Sequence, residues 1–212
     1  MKVFGFMLSP FVRKVHLVAA EKGIAVEMAP ANMRNPSPEF AAASPFRKIP
    51  ALQDGDYTLA DSTAIVTYLD ALQPEPPLFP ADARARGKAI WWEEYADTIL
   101  TPTGAKILFN RFVAPKIVGI PGDEAVAAQG DIEIQPLIAH LESQVPDEGW
   151  LVGEFSIADI AIASVLRSLA YAEWQVDPQH SPRAAAWYAR MCQRPAWQSV
   201  ATLEDAHSKA MT

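Results

Sequence analysis

The chain has 212 residues, half of them hydrophobic, enough to bury a substantial core in one large or two small domains. Its 18 basic and 25 acidic residues give a net charge of −7, with no basic run, which excludes a general nucleic-acid surface. A single cysteine, Cys192, excludes an internal disulfide and fits a reducing compartment.

The apolar start Val3–Leu8 is cut by Pro10 and by Arg13-Lys14 without a small-residue cleavage site, so a signal peptide is not expected. No apolar run approaches the roughly 20 residues of a membrane span, and a cytoplasmic protein is expected. Lys2–Phe6 reads as a strand and Pro10–Lys22 as a helix, with Phe11, Val15, Val18 and Ala19 on one face and Gly23 at the C′ position. At the junction, Pro10 suits the first helical position and Ser9 the N-cap. A hydroxyl there lies beside free N–H groups and the positive end of the helix dipole, where it can cap the helix or stabilise an anion. Ala25–Met28 is a second strand, which completes a parallel βαβ unit.

An irregular segment leads to Arg47-Lys48-Ile49-Pro50-Ala51-Leu52. A cis bond at Pro50 would turn the chain and leave the Ile49 N–H and C=O facing outward, able to pair with an extended peptide. Asp54-Gly55 between Ala51–Gln53 and Tyr57–Leu59 marks a hairpin, and Asp61–Leu72 a helix. Ser62 and the first N–H groups of that helix suit a carboxylate, Asp61 suits an ammonium, and Lys48 suits a second carboxylate. Taken singly, these are an ordinary cap and a solvated charge. Jointly they describe a receptor for a small zwitterionic peptide with a carboxylate at both ends.

Gln73–Pro80 carries four prolines in the seven residues 74–80 and reads as a short rigid linker. From Ala81 onward no strand pair is credible. Asp82–Phe112 has helical periodicity with a kink at Pro102, and Asp123–Val145 is helical with Pro136 bending or interrupting it. Phe155-Ser156-Ile157-Ala158-Asp159 reads as a capping box with Phe155 as hydrophobic staple. Helices Pro182–Cys192 and Pro195–Glu204 follow. The fold class is α+β: residues 1–73 form a mixed domain, 74–80 the linker and 81–212 an all-helical domain.

Other chemistries lack their motifs. There is no G-x-S-x-G and no G-x-x-x-x-G-K. His16, His140, His180 and His207 are far apart, without a carboxylate or cysteine at ligand spacing, so no metal is expected. Trp91-Trp92, Trp187 and Trp197 read as core, and Cys192 as structural.

Five pieces together carry a resemblance: S-P-F-x-x-R-K-V from Ser9, K-I-P-A-L from Lys48, D-G-D-x-x-L-x-D-S-x-A-I-x-x-Y-L from Asp54, the Pro-rich linker, and F-S-I-A-D-I from Phe155. Over nearly its whole length the chain resembles a cytosolic glutathione transferase of the serine type, bacterial-like. The resemblance implies a thioredoxin-like N-terminal domain of order βαβ-α-ββα, an all-α C-terminal domain, a homodimer, and glutathione as co-substrate with no tightly bound cofactor. It implies that Ser9 donates a hydrogen bond to the glutathione sulfur. It further implies that the Ile49 backbone, beside cis-Pro50, pairs with the cysteinyl part, that Asp61 and Ser62 hold the γ-glutamyl end, that Lys48 contacts glutathione, and that Ser156 and Asp159 are structural. The electrophile site is expected between the domains, bordered by Met7, Leu8 and Phe11 on one side and by Ile107 and Arg111 on the other.

Departures from the family pattern sharpen the reading. Serine stands where omega-like members carry cysteine, which argues against exchange through a mixed disulfide. Ser9-Pro10-Phe11 also differs from the Ser-Ser-Cys run of zeta-like isomerases. Asp61 is one methylene shorter than the commoner glutamate or glutamine, and Arg47 stands where glycine is frequent. Two alternatives share the scaffold: a non-catalytic interaction protein, and a glutathione-dependent isomerase or peroxidase.

Overall fold

A computed structural model describes the backbone of residues 1–211 and the side chains of residues 1–206, so the His207 side chain lies outside the described residues. The chain divides into two compact units, Met1–Leu78 with Pro195–Thr212, and Phe79–Arg194. The grouping differs from the division drawn in sequence, because the last helix belongs with the sheet and not with the other helices.

The first unit holds a four-stranded sheet of order β2-β1-β3-β4. Strand β1 (Lys2–Phe4) is parallel to β2 (Glu27–Ala29) and antiparallel to β3 (Ala51–Asp54), and β3 is antiparallel to β4 (Tyr57–Ala60). Strand β1 stops two residues before the expected Phe6. Gly5 N–H still bonds Ala29 O at 3.0 Å, but Ser9 N–H then closes a turn on Phe6 O at 3.1 Å. Gly5 also lies where a Cβ would come within 2.5 Å of Val12 Cγ2, so the turn needs glycine to let α1 approach.

Helix α1 (Pro10–Glu21) ends in a Schellman motif. Gly23 has φ +65° and bonds Ala20 O at 3.2 Å, and Ile24 N–H bonds Ala19 O at 2.9 Å. The segment read as irregular contains a short helix α2 (Pro38–Ala43), capped by Ser37 Oγ, which accepts from Phe40 N–H at 3.2 Å. Phe4, Phe40 and Ala51 pack together beneath it. Gly55-Asp56 makes the two-residue turn between β3 and β4, and Asp54 and Tyr57 form its closing pair. Helix α3 (Ser62–Leu72) begins one residue later than expected, with Asp61 outside it as the N-cap.

Lys22 accounts for the linker. Its buried ammonium pairs with Asp70 and donates to the carbonyls of Pro74 and Pro76, while Leu78 N–H donates to Asp70 Oδ1 at 3.0 Å. Prolines cannot donate, so their carbonyls are held by a cation from outside the segment.

The second unit is helical: α4 (Ala83–Tyr95), α5 (Thr101–Leu108), α6 (Glu124–Gln144), α7 (Ile157–Leu169) and α8 (Pro182–Cys192). At Pro102, the site of the expected kink, a π-type turn at Ala96–Leu100 runs up to the start of α5, and a second at Phe109–Val118 contains Pro115. Pro102 has no N–H to give, and the ladder lengthens just ahead of it, with Thr101 N–H bonding Ala96 O. Helix α6 is continuous through Pro136. Its Glu142 accepts from Arg183 and Ala184 N–H at 3.2 and 2.7 Å, covering donors that Ser181 does not cap. The last helix, α9 (Pro195–Met211), is longer than expected and packs on α1 in the first unit.

Three tryptophans are core as expected, but Trp91 is 42% exposed. Successive helical residues point about 100° apart, so only Trp92 faces inward. Trp91 lies under Lys88, whose Nζ is 4.2 Å from its ring centroid. His180 does have a carboxylate nearby: Asp177 Oδ2 is 2.6 Å from its Nδ1 in an exposed turn. Among the described residues no group of three or more His, Cys, Asp or Glu could hold a metal ion. No helix among them is long and apolar enough to cross a membrane.

Helix α7 is the core of this unit and Asp159 its anchor. Oδ1 accepts from Leu151 N–H and Trp187 Nε1–H at 3.1 and 2.9 Å, and Oδ2 from Ser156 N–H at 3.1 Å. Ser156 Oγ completes the capping box on Ala158 N–H at 3.3 Å. Phe155 packs edge-on to Trp150 and beneath the Arg194 guanidinium. Burial pushes the Asp159 carboxyl up to about 6, against the pull of these donors. An unfolded aspartate titrates near 3.9, so as pH falls the folded state takes up the proton first. Stability from this group therefore rises as pH drops from about 6 to about 4, and is lost as pH rises through that window, by roughly 2–3 kcal/mol. Asp159→Asn leaves Ser156 N–H without an acceptor. Urea unfolding at pH 7 is expected to show a loss of about 1–3 kcal/mol, and the variant should lack this part of the pH 4–6 dependence.

Candidate active site

Strand register builds the site. Phe4 pairs with Ala51 and Ala51 with Ala60, so three strands end level at one end of the sheet. The chain leaving β1 runs to Ser9, the chain entering β3 comes from Lys48-Ile49-Pro50, and the chain leaving β4 meets Asp61-Ser62. The residues read from sequence as a zwitterion receptor are thereby gathered at that one end.

Ser9 is the N-cap of α1, with extended backbone at φ −71° and ψ 124°. Its Oγ accepts from Val12 N–H at 3.5 Å, beyond the usual hydrogen-bond range, so the cap is weak. Accepting uses a lone pair and leaves the hydroxyl hydrogen to donate elsewhere. Cap and anion donor are thus compatible roles for Ser9.

The Ile49–Pro50 peptide is cis. Ile49 lies outside the ladder that begins at Ala51, so sheet pairing does not consume its N–H and C=O, while its side chain packs on the Phe4–Phe40 cluster. The preceding loop is held by Ser44, a residue the motif reading missed. Its buried Oγ accepts from Lys48 N–H at 2.9 Å and donates to Lys48 O at 2.7 Å. The Lys48 side chain is exposed. Arg47 adopts φ +55°, the left-handed conformation that suits glycine, and its N–H bonds Ser44 O at 2.9 Å.

Asp61 also has positive φ, +80°, and its Oδ1 accepts from Thr63 and Ala64 N–H at 2.8 and 3.3 Å. Both capping bonds fall on one oxygen. Ser62, first residue of α3, is 4% exposed. The exposed Asp61 carboxylate and the first turn of α3 place a negative charge beside N–H donors, a pairing matched to an α-amino acid end.

Residues read as electrophile contacts have varied surroundings. In the first unit Met7 is buried, and Leu8 and Phe11 are half-buried. In the second, Ile107 is fully buried where α5 meets Gly130 of α6. Arg111 is held by Glu124 and Asp131 at 2.5 and 2.6 Å, and its pKa lies above the ordinary arginine value through hydrogen bonds to Glu124 and then Asp131. The Ile107 side chain is thus spent on packing and the Arg111 charge on pairing within that unit.

Comparison with known proteins places the chain in a family. Residues 3–77 match the family model for the glutathione S-transferase N-terminal domain, and residues 124–190 that for the C-terminal domain. The chain belongs to the glutathione S-transferase family, whose members use glutathione as co-substrate. It is 31% identical over 211 residues to glutathione S-transferase 3 of Zea mays, covering 94% of this chain and 92% of that one. A glutathione S-transferase from Rhodospirillum rubrum superposes with TM-score 0.85 at 26% identity, covering 94% of this chain and 90% of that one. Maize glutathione S-transferase I in complex with an atrazine–glutathione conjugate gives 0.83 at 28%, covering 96% and 97%.

Two substitutions separate folding from binding here. Asp61→Asn keeps a capping oxygen and tolerates positive φ. Thermal unfolding should shift by no more than about 0.5 kcal/mol, while calorimetry should show glutathione binding weakened by about tenfold if Asp61 pairs with its ammonium. Arg47→Gly relieves the left-handed strain and should stabilise by about 1 kcal/mol, with glutathione affinity within about twofold of the parent.

Proposed function

We propose that the first unit binds glutathione across the shared strand ends, and that Ser9 holds its sulfur as thiolate for attack on a small hydrophobic electrophile. The observation that carries this reading is the level Phe4–Ala51–Ala60 register, which gathers Ser9, Ile49 and Asp61-Ser62 at one end of the sheet. The γ-glutamyl carboxylate sits on Ser62 and the first N–H groups of α3, its ammonium on Asp61. The cysteinyl backbone pairs with Ile49 beside Pro50, and Lys48 meets the second carboxylate. Leu8 and Phe11 offer apolar surface next to Ser9.

A free thiol titrates near 8.5, and the thiolate is the nucleophile. The Ser9 O–H and the positive end of α1 both favour the anion and lower that value. The thiol proton leaves to solvent on binding. Sulfur then forms the bond to carbon as the leaving group departs with its electron pair, helped by holding the two reactants close. Ser9 stabilises charge and forms no covalent bond. The conjugate-bound maize relative supports the same substrate class for this chain. Assembly as a homodimer and a cytoplasmic location complete the reading.

Calorimetric titration with glutathione is expected to saturate near one site per chain. Absence of binding at several millimolar would favour a non-catalytic interaction protein. Binding without conjugation in an electrophile screen would favour isomerase or peroxidase use of the same site. Ser9→Ala should fold nearly as the parent does. Its kcat at pH 6.5 should fall on the order of tenfold or more, and its pH–rate profile should move up towards the free-thiol value. An unchanged profile would sink the role of Ser9.

A further inference from the structure

Arg13 stands four residues after Ser9 on α1, and its side chain is only 1% exposed. A guanidinium that deeply buried needs acceptors fixed around it. Glu204 of α9, also 1% exposed, supplies two: Nε donates to Oε2 at 3.1 Å and Nη2 to Oε1 at 2.9 Å. The same Nη2 donates to the Met7 carbonyl at 2.7 Å. Met7 lies two residues before Ser9, in the turn that Ser9 N–H closes on Phe6 O. One guanidinium therefore joins the last helix of the chain to the loop that delivers Ser9, across 191 residues of sequence for the pair with Glu204.

The bidentate pairing fixes the plane of the guanidinium, and so fixes where Nη2 points. From this geometry we infer that Glu204, acting through Arg13, is a positioning residue for Ser9: it orients the Met7 peptide and thereby sets where the Ser9 hydroxyl stands. The inference deepens the proposed function and rests on Ser9 as the thiolate donor. It separates this pair from an ordinary buried ion pair. Apolar residues of similar volume often replace such a pair without loss of stability, but no apolar side chain can hold the Met7 carbonyl.

The test uses that difference. Arg13→Met/Glu204→Leu keeps approximate volume and removes both charges of the pair together, so it can fold where single truncations fail. Amide hydrogen exchange of the ligand-free protein is the first readout. Exchange at Ser9 should quicken about tenfold, with the α1 amides of Val15 and Val18 unchanged. The pH profile of glutathione conjugation is the second. The apparent thiol pKa should rise by roughly half a unit to one unit and kcat fall about tenfold, with KM for glutathione within about twofold. Unchanged Ser9 exchange overturns the inference whatever the activity, and an unchanged profile in an active double variant overturns it as well. Should the double variant not fold, Glu204→Gln keeps the volume and one acceptor oxygen and is read the same way, with changes of about threefold. The exchange readout needs no turnover. Failure of the glutathione reading, seen as an unchanged profile in Ser9→Ala, is therefore distinguishable from failure of this one.

Discussion

The level ending of three strands is the constraint on which the rest of the site depends. Because Phe4, Ala51 and Ala60 stand in one row, every chain segment crossing that end of the sheet arrives in the same neighbourhood. Two of those segments lead into helices, and each helix presents its first turn and a positive dipole end. The third passes through Ile49–Pro50 and offers a backbone edge outside the ladder. Hydrogen-bond donors, acceptors and the exposed charges of Lys48 and Asp61 thus belong to segments that cross that one end of the sheet. Slipping β3 by one residue would move Ile49 away from Asp61 and swap the faces to which Ala51 and Leu52, both buried, are presented.

Buried polar side chains hold this arrangement. Ser44 satisfies both backbone groups of Lys48 with one hydroxyl, which fixes the loop ahead of Ile49. Lys22 ties the end of α1 to Asp70 of α3 and to the linker carbonyls. Arg13 and Glu204 join α1 to α9 and to the Met7 peptide. In each case a buried donor set is matched by acceptors on another element, as the cost of leaving such groups unpaired demands. The helical unit repeats the logic once, at Asp159, where one carboxylate gathers Leu151, Ser156 and Trp187. Of the three non-glycine residues with positive φ, Arg47 and Asp61 flank the segment that runs from Lys48 to Ala60, and Glu173 lies in the helical unit.

Local chemistry was legible in the sequence wherever it acts over a few residues. The N-caps at Ser9 and Ser156, the Gly23 stop, the Gly55 turn and the helical stretches all follow from near-neighbour hydrogen bonding and φ preference, and the structure has them. Short apolar runs were less informative. Lys2–Phe6 and Ala25–Met28 gave strands whose true limits are Lys2–Phe4 and Glu27–Ala29, because pairing with a neighbour and not propensity sets where a strand ends. At Pro102 the chain stays helical, with a π-type turn just ahead of it.

What the sequence by itself determined is the list of groups able to act: a serine at a helix start, an Asp-Ser pair at another, a Lys-Ile-Pro run before a strand, and enough motif to fix the family. Only the tertiary structure decided which of them meet, and what holds them. Glu204 carries no local signal of its partnership with Arg13, since the pairing joins residues 191 apart and exists only because α9 returns to the sheet unit. Likewise Arg111, which sequence offers as a free cation beside a substrate, is spent on two carboxylates of α6. The physical reason is common to both: a side chain's charge is read from its type, but its availability depends on which distant groups folding brings within hydrogen-bond reach.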